Sequence, residues 1–106
     1  MITSEQGQQQ FDAADQLEAD VLKGRWRGIT AEKLWLIECE QGIMIEVELG
    51  KRGHGQRLVG TPDVTDDGQY QLQMIDRSDR ITSERLVACD QIYAACCEIL
   101  DAALSA

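Results

Sequence analysis

Four glutamates in the middle of the chain have the spacing most suggestive of a function. Glu38 and Glu40 alternate with other residues in one segment, and Glu46 and Glu48 alternate with apolar residues in the next. Alternation places such residues on one face of a β-strand. Together they would form an acidic strip suited to arginines or lysines of a partner protein. The alternative interpretation is a solvated face with neighbouring arginines as counter-charges.

One basic cluster follows in the glycine-rich segment 50–57. Its side chains are Lys51, Arg52, His54 and Arg57. Glycines beside cations can form a concavity for an anion, so this loop is a candidate anion-binding site. The G-x-x-x-x-G-K-[ST] pattern is absent, and a solvated hairpin loop is the alternative.

No residue pattern in the chain indicates catalysis, a metal or a cofactor. His54 is the only histidine, and nothing in the sequence places a nucleophile beside it. The four cysteines form no C-x-x-C pair, and no D-x-D-x-D-G loop is present. We therefore expect a non-catalytic protein without metal or cofactor, whose cysteines are free thiols in the core.

Trp26 is the one aromatic residue flanked by two arginines, Arg25 and Arg27. Tryptophan and arginine are both favoured at binding hot spots, so Trp26 is a candidate partner-binding anchor. The equally weighted alternative is a core plug between helix and sheet.

Composition limits the class of protein. The chain has 106 residues, of which 43% are apolar and 27% charged, as in one folded domain. The net charge of −9 disfavours direct binding to nucleic acid or to an anionic membrane. No apolar run is long enough to span a membrane, and the first residues do not resemble a secretory signal, so we expect a cytoplasmic protein.

The first predicted element is an amphipathic helix. Residues 1–10 are predicted to be a flexible leader, and residues 11–106 a single domain. Phe11, Ala14, Leu17 and Val21 then recur at helical spacing, and Gly24 is well placed to end the helix.

Two strands follow that helix and are predicted to form a hairpin. The alternation predicts that Trp35, Ile37 and Cys39 share the buried face with Ile45, Val47 and Leu49. Sharing that face requires a turn of odd length, most simply residues 41–43. This register places Glu38 directly opposite Glu46.

The second half is predicted to add strands and a helix. A third strand is predicted from Arg57, extending towards Val64, followed by a turn at residues 66–68 and a fourth strand from Tyr70 to about Asp76. A helix capped by Thr82 or Ser83 would follow. The predicted fold is α+β, a two-layer sandwich in which an antiparallel meander of three to four strands packs against N- and C-terminal helices, in the order α-β-β-β-β-α.

Three functions fit these features. The first is a small, acidic, non-catalytic protein-binding module of the inhibitor, immunity or anti-defence type. It would present its acidic sheet face to a basic partner protein, for example one that binds nucleic acid. The second is a homodimeric secretion or assembly chaperone or adaptor that binds a client through apolar surface. The third is a small-ligand sensor with a pocket near Trp35, Tyr70 and Tyr93.

Overall fold

The computed structural model describes residues 4–63 and 68–105 as two helices and five strands. The helices are α1 (Ser4–Leu22) and α2 (Ile92–Leu104). The strands are β1 (Leu34–Cys39), β2 (Gly42–Glu48), β3 (Arg57–Pro62), β4 (Gln69–Ile75) and β5 (Ile81–Ala88). Short 3-10 turns lie at Ala31–Lys33, Lys51–Gly53 and Cys89–Gln91.

The strands form one antiparallel sheet in the order in which they occur in the chain, β1-β2-β3-β4-β5. Such a meander needs only short connections between neighbouring strands. Both helices lie on one face, which we call the inner face, and the opposite face is the outer face. The predicted α+β two-layer fold is confirmed, with five strands where three to four were predicted.

The core lies between the inner face and the two helices. Strand β2 contributes Ile43, Ile45 and Val47, and residue Leu49 follows directly. The predicted burial of Ile45, Val47 and Leu49 is confirmed, since each is 1% exposed, and Ile43, which was predicted to lie in the turn, is also buried. The remaining strands and the two helices complete the cluster with Leu58, Tyr70, Leu72, Met74, Leu17, Val21, Ile92, Cys96 and Leu100.

Helix α1 ends as predicted at a glycine in the left-handed region. Gly24 has φ +79°, which glycine adopts without strain. The N–H of Arg25 donates to the carbonyl of Asp20, and the N–H of Gly24 donates to that of Val21. These two bonds satisfy carbonyls at the end of the helix and direct the chain towards Trp26.

Helix α1 starts before the predicted boundary at residue 11. The structure continues the helix back to Ser4, and Gln10 is fully buried. Gln10 Oε1 accepts a hydrogen bond from the N–H of Ile43 at 3.0 Å. Gly42 allows this contact, because a Cβ there would collide with the Gln10 amide. The polar side chain of Gln10 can therefore be buried, because its amide has a hydrogen-bond partner in the first hairpin.

The first hairpin differs from the predicted register. Cys39 pairs with Gly42 across a two-residue turn, so Leu36 lies opposite Ile45 and Leu34 opposite Val47. The inner face of β1 therefore carries the leucines, and Trp35 and Ile37 lie on the outer face. The prediction was wrong because both sets of alternate positions in β1 are apolar, which leaves the turn alone to determine the register.

The predicted cap of the last helix at Thr82 or Ser83 is also wrong. Those residues belong to β5, and α2 begins at Ile92. The turn before β5 explains the difference, because Asp76 Oδ1 accepts hydrogen bonds from the N–H groups of Ser78 and Arg80. This side-chain cap folds the chain back along β4. The predicted extension of β3 to Val64 and most of the turn at 66–68 lie outside the described residues.

Candidate functional site

The outer face of the sheet has no layer of described structure packed over it. One unbroken row of paired residues crosses all five strands there: Trp35, Glu46, Val59, Gln73 and Glu84. A second row contains Ile37 opposite Met44 on one side, and Thr61, Gln71 and Leu86 on the other. The outer face therefore mixes apolar and acidic side chains.

The exposed apolar side chains are concentrated on the edge strands of this sheet. Five large apolar residues are exposed in the described part of the chain, and four belong to β1 and β5: Trp35, Ile37, Ile81 and Leu86. Ile37 and Leu86 are each 52% exposed, and Trp35 is 38% exposed. These side chains form two groups, one at each edge of the sheet, and exposed apolar groups among polar ones are a common feature of protein-binding surfaces.

The charge of the outer face is mainly negative. Glu46 and Glu48 lie on it in β2, and Glu84 lies on it in β5, where it accepts a hydrogen bond from Gln73 Nε2 at 2.9 Å. Arg57 lies opposite Glu48 in the sheet, but its guanidinium is paired with Asp79 at 3.0 Å. The face therefore combines exposed apolar side chains on its edge strands with carboxylates on β2 and β5, an arrangement that matches a surface carrying both apolar groups and lysines or arginines.

The predicted strip of four glutamates does not form. Glu38 pairs with Ile43, so it lies on the side of the sheet opposite to Glu46, and Glu40 lies in the turn. The predicted opposition of Glu38 and Glu46 is therefore wrong, because Glu46 lies opposite Trp35. The two-residue turn separates the glutamates into a pair on the outer face and a pair off it.

Trp26 lies in the core and is 4% exposed, so the core-plug alternative describes it. Its Nε1 donates a hydrogen bond to Asp101 Oδ1 at 2.7 Å. The Arg25 guanidinium lies 4.8 Å from the centre of its ring and forms an ion pair with Asp101 at 3.2 Å. These contacts tie the segment after α1 to α2, and Trp26 does not present its ring to a partner.

A hydrogen bond between the two helices extends this polar cluster. Tyr93 Oη donates to Asp20 Oδ2 at 2.5 Å, and Arg25 forms an ion pair with the same oxygen at 2.9 Å. The bond from Tyr93, together with Arg25, holds the pKa of Asp20 below its usual value. The bond to Asp20 raises the pKa of Tyr93 to about 12. Both shifts favour the carboxylate and the protonated phenol, which are the forms that make the bond.

Three of the four cysteines lie in the core as predicted, whereas the predicted burial of Cys39 is wrong, because Cys39 shares the outer face with Trp35 and Ile37 and is half-buried. Cys89, Cys96 and Cys97 are buried, and all four cysteines are free thiols. Burial raises the pKa of Cys89 and of Cys97, and it raises the pKa of Cys96 to about 12. Since the thiolate is the nucleophilic form, these thiols are poorly suited to reaction at neutral pH.

The predicted anion-binding loop is divided by the structure. Lys51 and His54 line a cavity of about 390 Å³ with Gly50, Gly55 and Arg77. Arg52 is exposed but is not a lining residue, and Arg57 lies in β3, paired with Asp79. Sequence reasoning missed Arg77 in this role, because it comes from the turn between β4 and β5. The clue available in the sequence was its position in a second turn at the same end of an antiparallel sheet.

The pocket predicted near Trp35, Tyr70 and Tyr93 is not formed. Trp35 lies on the outer face, whereas Tyr70 is fully buried on the inner face and donates its hydroxyl to the carbonyl of Ile43. Tyr93 contacts Asp20 at the junction of the helices. The sheet therefore separates Trp35 from the two tyrosines.

Residues 4–63 and 68–105 contain no group of three or more histidine, cysteine or acidic side chains that could hold a metal ion. None of the helices described there is long and apolar enough to cross a membrane. Comparisons of the chain with protein-family models, curated proteins and solved structures found no match. The surfaces of the described residues are therefore the basis for inferring a function.

Proposed function

We propose that this chain is a small, non-catalytic protein-binding module that uses the outer face of its sheet to bind a basic partner protein. The observation that carries the proposal is the position of Trp35, Ile37 and Leu86, exposed beside outer-face glutamates on the side that neither helix covers. Inhibitors of nucleic-acid-binding proteins are one class of module that blocks a basic surface in this way.

The glutamates favour a different protein as the partner over a second copy of the same chain. A two-fold dimer presents the same patch from both subunits. Packing two outer faces together would bring Glu46, Glu48 and Glu84 of one copy towards the same carboxylates of the other, and their repulsion would oppose association. A partner surface that carries lysines or arginines together with apolar groups would meet this face favourably. The homodimeric chaperone is therefore the second candidate.

The energetic roles of the two residue types should differ. Buried aromatic and aliphatic anchors contribute most of the affinity in protein interfaces, whereas charges near the rim mainly set the association rate and the salt dependence. We expect Trp35 and Leu86 to determine how long the complex lasts. We expect Glu46 and Glu48 to determine which partner binds, and how strongly binding weakens with salt.

Two double variants in the hairpin of β1 and β2 test whether the outer-face glutamates bind the partner. Partners are captured from a lysate of the source organism, purified, and measured by surface plasmon resonance at low and high salt. Glu46→Lys with Glu48→Lys should weaken binding by about tenfold or more at low salt. The control is Glu38→Lys with Glu40→Lys, which changes the net charge equally in the same hairpin but off the outer face. Equal losses for the two double variants would contradict the proposed face.

A second pair of variants tests the apolar part and the dimer alternative. Trp35→Ala should raise the dissociation rate at both salt concentrations, by about thirtyfold if Trp35 is a hot spot. Leu22→Ala is the control, because Leu22 is the fifth exposed large apolar residue and lies at the end of α1. Sedimentation of the free protein should give a monomer, and a dimer that Trp35→Ala dissociates would favour the homodimeric chaperone.

A further inference from the structure

Two loops that are distant in sequence form a pocket in which every lining residue with a side chain is basic. The loop between β2 and β3 contributes Gly50, Lys51, His54 and Gly55, and the turn between β4 and β5 contributes Arg77. The cavity measures about 390 Å³. Another cation lies close by, because a Cβ built on Gly50 would be 3.1 Å from Lys33 Nζ. Such a concentration of cations is unexpected in a chain with a net charge of −9.

The basic side chains of the pocket have no partners among the described residues. No ion pair or side-chain hydrogen bond in residues 4–63 and 68–105 involves the side chain of Lys51, His54 or Arg77. The two carboxylates of the adjacent turn are already engaged. Asp76 Oδ1 accepts two backbone N–H groups, and Asp79 pairs with Arg57. An anion in the pocket would therefore meet the unpaired Lys51 and Arg77 side chains, while the nearby Asp76 and Asp79 make other contacts.

The position of Arg77 depends on the glycine of the opposite loop. Gly55 has φ +73°, and a Cβ there would lie 2.7 Å from Arg77 Cγ and Nε. Any other residue at position 55 would therefore be strained and would displace Arg77 from the loop. This close approach places the side-chain stem of Arg77 at one wall of the pocket.

Side chains, not backbone amides, would make the contacts to an anion. The N–H groups of Gly53, His54, Gly55 and Gln56 all donate to carbonyls within the loop. The backbone concavity expected from the glycines is therefore closed by internal hydrogen bonds. An arginine can donate two parallel bonds to a phosphate, lysine adds a point charge, and histidine adds a further donor.

We propose that this pocket binds the phosphate group of a small phosphorylated molecule through Lys51, Arg77 and His54, with Lys33 at the rim. The volume lies in the range typical of small-molecule sites, so it has room for an organic group attached to the phosphate. The strands place the acidic opposite end of the sheet about 20 Å away. That distance exceeds the Debye length of about 8 Å at physiological ionic strength, so the distant carboxylates should not prevent binding. The lining residues of this site are different from the residues of the proposed protein-binding face, although Glu48 of that face lies two residues before Gly50.

Isothermal titration calorimetry with adenosine monophosphate and with orthophosphate, at fixed ionic strength, tests the proposal. Adenosine monophosphate should bind saturably, and the double variant Lys51→Ala with Arg77→Gln should weaken that binding by about tenfold or more, since each charge-assisted bond contributes substantially. The control is Lys23→Ala with Arg27→Gln, which removes the same charge from exposed residues of another segment and should leave binding unchanged. Thermal melting of both variants confirms that they are folded.

Three results would overturn the proposal. The first is the absence of saturable binding of either phosphate to the wild type. The second is an equal loss of affinity in the pocket and control variants. The third is that sulfate and chloride weaken the binding of adenosine monophosphate equally at matched ionic strength. Such a result would mean that the binding is a general effect of salt on charge attraction and does not involve a specific site. Tighter binding of orthophosphate than of adenosine monophosphate would contradict the organic part of the assignment.

Discussion

On the inner face of the sheet, large apolar side chains are buried beneath two helices, whereas on the outer face side chains of similar type are exposed to solvent. Strand β1 shows the contrast within one segment. Leu34 and Leu36 pack against the core, and their neighbours Trp35 and Ile37 are exposed on the other side. Apolar content therefore does not identify the covered face. Covering the inner face requires matching helices, and α1 and α2 supply them.

The two faces also treat polar groups differently. The inner side fully buries Gln10, whose amide is bonded to the backbone of the first hairpin, whereas the outer side keeps Gln73 half-exposed, bonded to a carboxylate. Buried polar groups depend on their partners, while exposed ones can bond to water instead. We therefore expect the same substitution to lower the free energy of unfolding more on the inner face than on the outer face.

Truncation of one isoleucine on each face should give the largest difference between the two faces in the free energy of unfolding. Ile45→Ala removes a 1% exposed side chain from β2 and should lower the free energy of unfolding by about 2–5 kcal/mol. Ile37→Ala, on the outer face of the neighbouring strand, should change it by about 0.5 kcal/mol or less. Urea unfolding monitored by circular dichroism measures both values.

Because the total stability of a small domain is commonly about 5–15 kcal/mol, the loss expected for Ile45→Ala is a large share of it, and a milder variant is needed beside it. Ile45→Val should cost about 0.5–1.5 kcal/mol and keeps the protein folded. Similar losses for Ile37→Ala and Ile45→Ala would show that the outer face is covered in solution, for example by a second copy.

Truncation of a glutamine on each face is expected to have a smaller effect. Gln10→Ala leaves the N–H of Ile43 without its acceptor in the core and should cost about 1–3 kcal/mol. Gln73→Ala removes an exposed bond to Glu84 and should cost about 0.5 kcal/mol or less. The same unfolding measurement applies. A negligible cost for Gln10→Ala would contradict the packing of the first turns of α1 against the hairpin.

The sequence was sufficient to predict the elements whose two sides differ in character. Strand β2 has apolar residues on one side and glutamates on the other for most of its length, so its buried face was predicted correctly. Helix α1 carries a clear apolar stripe that Gly24 terminates, so its apolar face and its C-terminal end were predicted correctly, although its start was not. Strand β1 is apolar on both sides, and its register was predicted wrongly. Leu86 continued the helical spacing of Cys89 and Tyr93 by coincidence, and this hid β5.

The candidate sites depended on contacts between residues far apart in sequence, which local patterns do not report. The outer pair Glu46 and Glu48 could be identified from alternation, but the hairpin turn decided that Glu38 and Glu40 do not join them. Arg77 enters the basic pocket because two loops meet at one end of the sheet. The burial of Gln10 required a bond to a strand more than thirty residues away.

The Asp20–Tyr93 bond predicts how the helix-covered side responds to pH. The lowered pKa of Asp20 means that its contribution to stability is present above about pH 4 and is lost as pH falls through the native pKa. The pKa of Tyr93, raised from 10.0 to about 12, means that its contribution is present below pH 10 and is lost as pH rises towards 12. Tyr93→Phe should therefore lower the melting temperature at pH 7, with a smaller difference from wild type at pH 3 and at pH 12.

A double-mutant cycle with Asp20→Asn separates this bond from the rest of the Arg25 cluster. The effect of Tyr93→Phe should shrink in the Asp20→Asn background, because the charged acceptor is no longer present. The hydrogen bond between Tyr93 and Asp20 is partly open to solvent, so the loss of stability caused by Tyr93→Phe is the smallest of the expected effects. A difference between wild type and Tyr93→Phe that stays constant from pH 3 to pH 12 would mean that the ring's packing, and not its hydrogen bond to Asp20, stabilises the junction of the two helices.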